Sequence, residues 1–172
     1  DCAPRDTTPP AIVPMIAGTR GDNGWYTSPV TVTWAVEDPE SGLSATAGCG
    51  RSVVGDTPGT VLTCTATNRA GLASAHSVAL QIDGTPPRVT ILQPPAGDTY
   101  LLNQAVEVEY EASDAGSGLA AVSPALPAYV DTGVAGTWAL GVTARDRAGN
   151  RTTVASPPYQ VIYAIKPLLG EG

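Results

Sequence analysis

The stretch VTVTWAVED at residues 30–38 decides the fold of this chain. From Val30 to Val36 every second residue is apolar, and the residues between are small or polar. That period of two is typical of a β-strand with one buried face and one solvated face. The pattern returns at residues 106–114 as VEVEYEASD, with glutamates on the solvated face.

Three more blocks repeat in the same order, at offsets of 76 to 78 residues. They are residues 6–10 (DTTPP) with 83–87 (DGTPP), 41–43 (SGL) with 117–119, and 65–71 (TATNRAG) with 143–149 (TARDRAG). This period is too long for a solenoid unit and suits a small domain. We therefore predict one domain over residues 1–83, a second over 84–165, and a C-terminal tail over 166–172.

Short apolar rows separated by turn residues fill each repeat. The 16 prolines and 19 glycines punctuate the chain, and no amphipathic helix pattern occurs. Residues 62, 64 and 66 form a further inward-facing row, which is matched in repeat two by residues 140, 142 and 144. The last inward-facing row of repeat one is residues 78, 80 and 82, and that of repeat two is residues 161, 163 and 165. The prediction is an all-β chain of two tandem Ig-like antiparallel β-sandwich domains, each with about seven strands.

Charge and hydropathy exclude several classes of partner. The net charge is −7, and an acidic surface repels nucleic acid and anionic lipid. No apolar stretch approaches the roughly 18 residues of a membrane helix, so membrane insertion is not expected.

The three cysteines are Cys2, Cys49 and Cys64. Their spacing fits neither a redox Cys-x-x-Cys motif nor a zinc site. A Cys49–Cys64 disulfide with both residues facing the core is the simplest interpretation, and it implies an oxidising compartment. Cys2 is left to pair outside the repeats or to remain free.

Together, the DxTPP, VTVxW, DPxSG and Ax(N/D)xAG motifs and the cysteine pair resemble the tandem bacterial Ig-like repeats of secreted and cell-surface proteins. The resemblance covers residues from about 6 to 165. It implies that the two domains serve as a spacer, as part of an adhesin stalk, or as modules appended to a catalytic domain. Repeat two departs from the pattern because it lacks both cysteines, with Val142 at the position of Cys64.

Catalytic signals are lacking in the sequence. The single histidine, His76, lies in an alternating strand and is expected on the surface, and the glutamates at 107, 109 and 111 are expected to form a solvated acidic face. No nucleophile or phosphate-binding motif occurs. We therefore expect a chain that is not an enzyme.

Two candidate ligand sites remain. Trp25 and Tyr26 are adjacent on a predicted strand, so one of them should be exposed and could stack a sugar. The loops near the link between the repeats offer oxygen donors that suit a structural Ca²⁺, namely Asp83, Glu111, Asp114, Asp146 and Asn150. The analogous set in repeat one is Asp6, Glu37, Asp38, Glu40 and Asn68. Ordinary turn chemistry is the alternative explanation for both sets.

The function expected from the sequence is a non-catalytic extracellular structural or adhesive module, acting as a spacer or surface-assembly unit. Its partners would be other extracellular proteins, neighbouring subunits or domains, or carbohydrate. The alternatives are a carbohydrate- or ligand-binding module, accessory domains of a larger secreted enzyme, and a subunit of an extracellular polymer. No cofactor is expected apart from the Ca²⁺ named above.

Overall fold

The computed structural model describes residues 6–164, and every regular element within them is a β-strand. The predictions for Cys2, for residue 165 and for the tail at 166–172 therefore lie outside the described residues. The strands are β1 Ala11–Ala17, β2 Val30–Glu37, β3 Leu43–Ala47, β4 Ser52–Val54, β5 Thr57–Asn68, β6 Ala73–Ile82, β7 Arg88–Gln93, β8 Thr99–Leu101, β9 Glu109–Ser113, β10 Leu119–Ser123, β11 Gly136–Trp138, β12 Gly141–Asp146, β13 Arg151–Ala155 and β14 Tyr159–Ile162.

The chain divides into two compact units. The first runs to Thr85 and also includes Arg147–Asn150, and the second comprises Pro86–Asp146 and resumes at Arg151. The short segment Arg147–Asn150 belongs to repeat two by sequence and to the first unit by its contacts: the amide of Asp22 donates to the carbonyl of Ala148 at 2.8 Å.

The first unit is a sandwich of two three-stranded sheets, β1-β2-β4 and β3-β5-β6, in which neighbouring strands pair antiparallel. Val30 and Val32 of β2 are fully buried, as the alternating pattern predicts, because their side chains point between the sheets. The core is completed by residues from β6 and one tyrosine outside the strands; its buried members are Tyr26, Val30, Val32, Val78, Leu80 and Ile82.

The second unit contains the sheets β10-β12-β13, β11-β14-β8 and β7-β9. One buried cluster joins Val89 to Val142 and Ala144; the other comprises Tyr100, Val106, Val108, Val130, Tyr159 and Val161. Tyr163, which was predicted to continue the inward row of Val161, is 68% exposed because β14 ends at Ile162. That prediction is wrong.

Strand β1 is an edge strand, and a proline interrupts its backbone donors. Pro14 pairs in register with Trp34 on one side, and the ladder of the described sheet ends on the other. Proline is tolerated at such edges because its missing N–H costs no ladder hydrogen bond there. The outward side chains of Val13 and Met15 are more than half exposed.

These sheets and cores confirm the predicted fold class, an all-β chain of Ig-like β-sandwich architecture. Among residues 6–164 no helix is long and apolar enough to cross a membrane.

Candidate functional site

Loops of the first unit converge on the side chain of Asn68, the last residue of β5. Asn68 is 1% exposed. Its Nδ2 donates to Asp6 Oδ2 at 2.7 Å, to Asp38 Oδ2 at 3.0 Å and to the carbonyl oxygen of Thr8 at 2.9 Å. Its Oδ1 accepts from the backbone amide of Leu72 at 2.8 Å. Both ends of the buried amide are therefore satisfied.

The two carboxylates of this cluster are held ionised by donors. Asp38 Oδ1 accepts from the backbone amides of Ser41 at 2.9 Å and Gly42 at 3.2 Å. The amide of Ser41 is the main cause of the lowered pKa of Asp38, followed by the side chain of Asn68. The hydroxyl of Ser41, which donates to Asp6, is the main cause of the lowered pKa of Asp6. Hydrogen bonds to a charged carboxylate favour that charged form.

Of the analogous donor set predicted for repeat one, Asp6, Asp38 and Asn68 meet directly. Glu40 lies at the margin, where its Oε2 accepts from the Thr8 hydroxyl at 3.0 Å, and Glu37 is exposed at the end of β2. An amide N–H occupies the space between the two aspartates. The arrangement is a hydrogen-bonded clamp, and we call Asp6, Asp38, Ser41 and Asn68 the asparagine clamp.

The second unit places an acid where the asparagine clamp has its amide. Asp146 ends β12 and is 1% exposed, and by the sequence repeat it takes the position of Asn68. Carboxylate oxygens of Asp114 and Asp146 lie within 4.8 Å of one another. The amide of Gly118 donates to Asp114 Oδ2 at 2.7 Å, as Gly42 does to Asp38 in repeat one.

Among the other predicted acidic ligands, Glu111 does not join this group. Glu111 is exposed on the outer face of β9 and is not among the described carboxylates that converge with Asp114 and Asp146. Asp83 and Asn150 lie in the first unit, where Asn150 Nδ2 donates to the carbonyl oxygen of Asp83 at 2.9 Å. Asp83 is 1% exposed, and its Oδ1 accepts from the amide of Thr85 at 3.0 Å.

The aromatic pair has one buried member. Tyr26 is 5% exposed and belongs to the core of the first unit, with the guanidinium carbon of Arg20 5.0 Å from its ring centroid. Trp25 is half-buried, so it is the member of the pair that reaches solvent. Sugar stacking on Tyr26 would need the core to open, and any such contact falls to Trp25.

The predicted disulfide between Cys49 and Cys64 is confirmed, with the two Cα atoms 4.6 Å apart. Cys64 is fully buried, but Cys49 is only half-buried, so the expectation that both face the core is wrong for Cys49. Cys49 lies in the loop between β3 and β4. In the second unit Val142 is fully buried at the position of Cys64 and supplies an apolar contact there.

A glycine beside the disulfide was not identified from the sequence. Gly48 has a φ of 72°, and a Cβ placed on it would lie 2.1 Å from the carbonyl oxygen of Thr63. Only glycine fits, because it has no Cβ and adopts positive φ freely. The dipeptide Gly-Cys ahead of a strand was the available signal.

His76 is exposed on β6, which confirms its predicted surface position. Its ring meets that of Trp34 edge-on, with 6.1 Å between the centroids.

No family model matches the chain. No curated protein matches it either. Among solved structures, it is similar to the fibronectin(III)-like modules of Clostridium thermocellum CbhA, with 14% identity over 87% of this chain and 94% of that one and a TM-score of 0.42. It is also similar to protocadherin gammaB7 EC3-6, with 15% identity and a TM-score of 0.30. A third similar structure is that of protocadherin gamma B2 extracellular cadherin domains 3-6, with 14% identity and a TM-score of 0.28. Each of these two matches covers 90% of this chain and about half of the other chain. Identities and TM-scores this low give no information on function.

Proposed function

We propose that this chain is a non-catalytic structural part of an extracellular protein, in which its two sandwich units serve as a spacer of the tandem bacterial Ig-like kind. The Cys49–Cys64 disulfide carries the proposal, because structural disulfides persist in oxidising compartments. Each unit has its own buried core, which supports independent folding of the two.

A spacer must resist extension, and the first unit has features suited to that role. The antiparallel β5–β6 ladder runs from the pair Thr57–Ile82 to the pair Thr67–Ala73 with one bulge, so its hydrogen bonds would have to break during unfolding. The asparagine clamp ties the segment preceding β1 to the end of β5. The disulfide joins residues that are 15 positions apart, so the segment between Cys49 and Cys64 cannot be pulled out when the unit is stretched.

Single-molecule force spectroscopy of the chain between inert handles tests the spacer role. We expect two unfolding events, one for each unit. Under reducing conditions the event of the first unit should lengthen by about 50 Å, since about 15 residues at about 3.6 Å each are released. The Cys49→Ser/Cys64→Ser variant should show the long event in either buffer. Extension without discrete force peaks would contradict a spacer that resists tension.

We propose, as a second function, that the second unit binds a structural Ca²⁺ through Asp114 and Asp146. The supporting observation is the exchange of Asn68 for Asp146 between the repeats. The side-chain amide of Asn68 donates hydrogen bonds to the carboxylates of Asp6 and Asp38 and so holds them together. An ionised carboxylate at the equivalent position has no hydrogen to donate. Ca²⁺ takes six to eight oxygen ligands, so backbone carbonyls and water would complete the shell.

Calorimetric titration with CaCl₂, together with thermal melting in CaCl₂ and in EGTA, tests this second function. We expect heat of binding and a raised melting temperature of the second unit. Asp146→Asn should abolish both effects, because it restores the amide donor of repeat one. Asp131→Asn, with the same charge change on an exposed loop of the same unit, is the control and should leave both unchanged. Equal behaviour of the two variants, or no heat at millimolar Ca²⁺, would reject the site.

A further inference from the structure

One exposed face of the second unit carries a row of three carboxylates. Glu107, Glu109 and Glu111 are exposed and alternate with buried or half-buried residues. They lie on one extended segment, so successive carboxylates are roughly 7 Å apart.

Exposed apolar side chains border this row. Tyr129 is 61% exposed and forms an antiparallel bridge with Glu107, which places the two side chains on the same face. Leu126 is 49% exposed and lines a groove of about 410 Å³ together with Glu107 and Glu109. On the opposite side of the row, Leu92 is 49% exposed where β7 bulges against β9.

The fold itself does not require these carboxylates. The equivalent positions of repeat one are Thr31, Thr33 and Ala35, which are neutral, and that repeat forms the same kind of strand. Three like charges roughly 7 Å apart on one strand repel one another, so the fold gains no stability from them. Arg88 lines the same depression as Glu111 and can offset that charge, which leaves Glu107 and Glu109 as the most strongly acidic part.

We propose that this face, consisting of Glu107, Glu109, Glu111, Leu126 and Tyr129, docks an extended basic segment of a partner protein. An extended segment presents every second side chain to one side, with the same repeat distance as the glutamates. Arginines at alternate positions would meet the carboxylates one to one. Their aliphatic stems would lie along Leu126, and one guanidinium would stack on the exposed ring of Tyr129.

A direct test uses the synthetic peptides acetyl-RSRSRS-amide and acetyl-RRRSSS-amide, which have the same composition and charge. Binding to the full chain is measured by fluorescence anisotropy of the labelled peptides at low and physiological salt. The alternating peptide should bind at least about fivefold more tightly, as expected when several exposed charge pairs form in register. Equal affinity for both peptides would show that binding depends only on total charge and not on the spacing of the arginines, and would overturn the proposal.

Matched variants locate the face. Glu107→Gln/Glu109→Gln should weaken the alternating peptide about fivefold or more, whereas Glu37→Gln/Glu40→Gln, with the same change in net charge, should have less than a twofold effect. Tyr129→Ser should weaken binding and Tyr163→Ser, at a more exposed tyrosine, should not. Equal losses in the test and control pairs would place the binding elsewhere. This inference stands apart from the spacer proposal, because it concerns one surface and leaves the force response unchanged.

Discussion

The side-chain amide of Asn68 lies 2.7 Å from Asp6 Oδ2 and donates a hydrogen bond to it, across 62 positions of sequence. The same amide also donates to Asp38, so one neutral residue holds two negative charges together at the end of the first sandwich. Hydrogen bonds to charged groups are among the stronger ones in proteins. This contact therefore fixes where the chain enters the first domain.

Replacing Asn68 with aspartate should destabilise the first unit in metal-free buffer. The substitution removes the donor and adds a third carboxylate, at a cost of about 3 kcal/mol. Urea unfolding followed by tryptophan fluorescence measures the loss in a Trp138→Phe background, in which the remaining tryptophans, Trp25 and Trp34, both lie in the first unit. Gln81→Glu, the same amide-to-carboxylate change at an exposed position of β6, is a suitable comparison and should cost less. An unchanged midpoint for Asn68→Asp would show that the clamp contributes no stability.

Acid should weaken the first unit through Asp6 and Asp38. Both carboxyls have a pKa lowered in the folded state from the ordinary value of 3.8, by the Ser41 hydroxyl for Asp6 and by the Ser41 amide for Asp38. Their stabilisation is thus complete above that value and is lost as the pH falls through the lower folded pKa values. Thermal melting between pH 6 and pH 2 should show a decline that Asp6→Asn reduces. A decline of the same size in that variant would assign it to other groups.

Reduction should lower the stability of the first unit and spare the second. The disulfide closes a separation of 15 residues, and a loop of that size is worth about 3 kcal/mol in the chain-entropy treatment. Calorimetric melting with and without reductant should move one transition. In Cys49→Ser/Cys64→Ser the reductant should have no effect on either. A shift of the second transition would show that the units do not melt independently.

Gly48→Ala should be strongly destabilising. Its Cβ would lie 2.1 Å from a backbone oxygen at a positive φ, and steric strain of this kind costs about 3 kcal/mol. Gly50→Ala, two residues along, has nothing within 4 Å of the new Cβ and should stay within about 0.5 kcal/mol of the parent. Chemical denaturation of the two variants compares them directly. Similar midpoints would mean that the loop moves aside at little cost.

Much of the fold was predictable because burial in a strand follows a period of two. Val30, Val32, Val106 and Val108 are all buried as that period predicts, and the internal repeat revealed that the pattern is used twice. The end of a strand is not encoded in that period. Tyr163 continues the apolar alternation of Val161 yet is exposed beyond β14.

The candidate site was predictable in its residue types and only partly in its geometry. Turn sequences placed Asp114 and Asp146 in loops at one end, and they do approach each other. Glu111 was predicted as a metal ligand because it lies close to Asp114 in sequence, but the alternation of side chains along β9 places it on the exposed face of the strand. The donor role of Asn68 depends on the direction of a side-chain amide between two distant loops, which no local pattern specifies.

Pro14 affects how copies of this protein behave when they are crowded. A strand edge with free donors invites the edge of another molecule and is a route to aggregation. On β1 the missing N–H interrupts that template beside the exposed Val13 and Met15, where hydrophobic association would otherwise reinforce it. The proline therefore favours solubility at high local concentration, and a chain folding next to others of its own sequence is protected at this edge from intermolecular strand exchange.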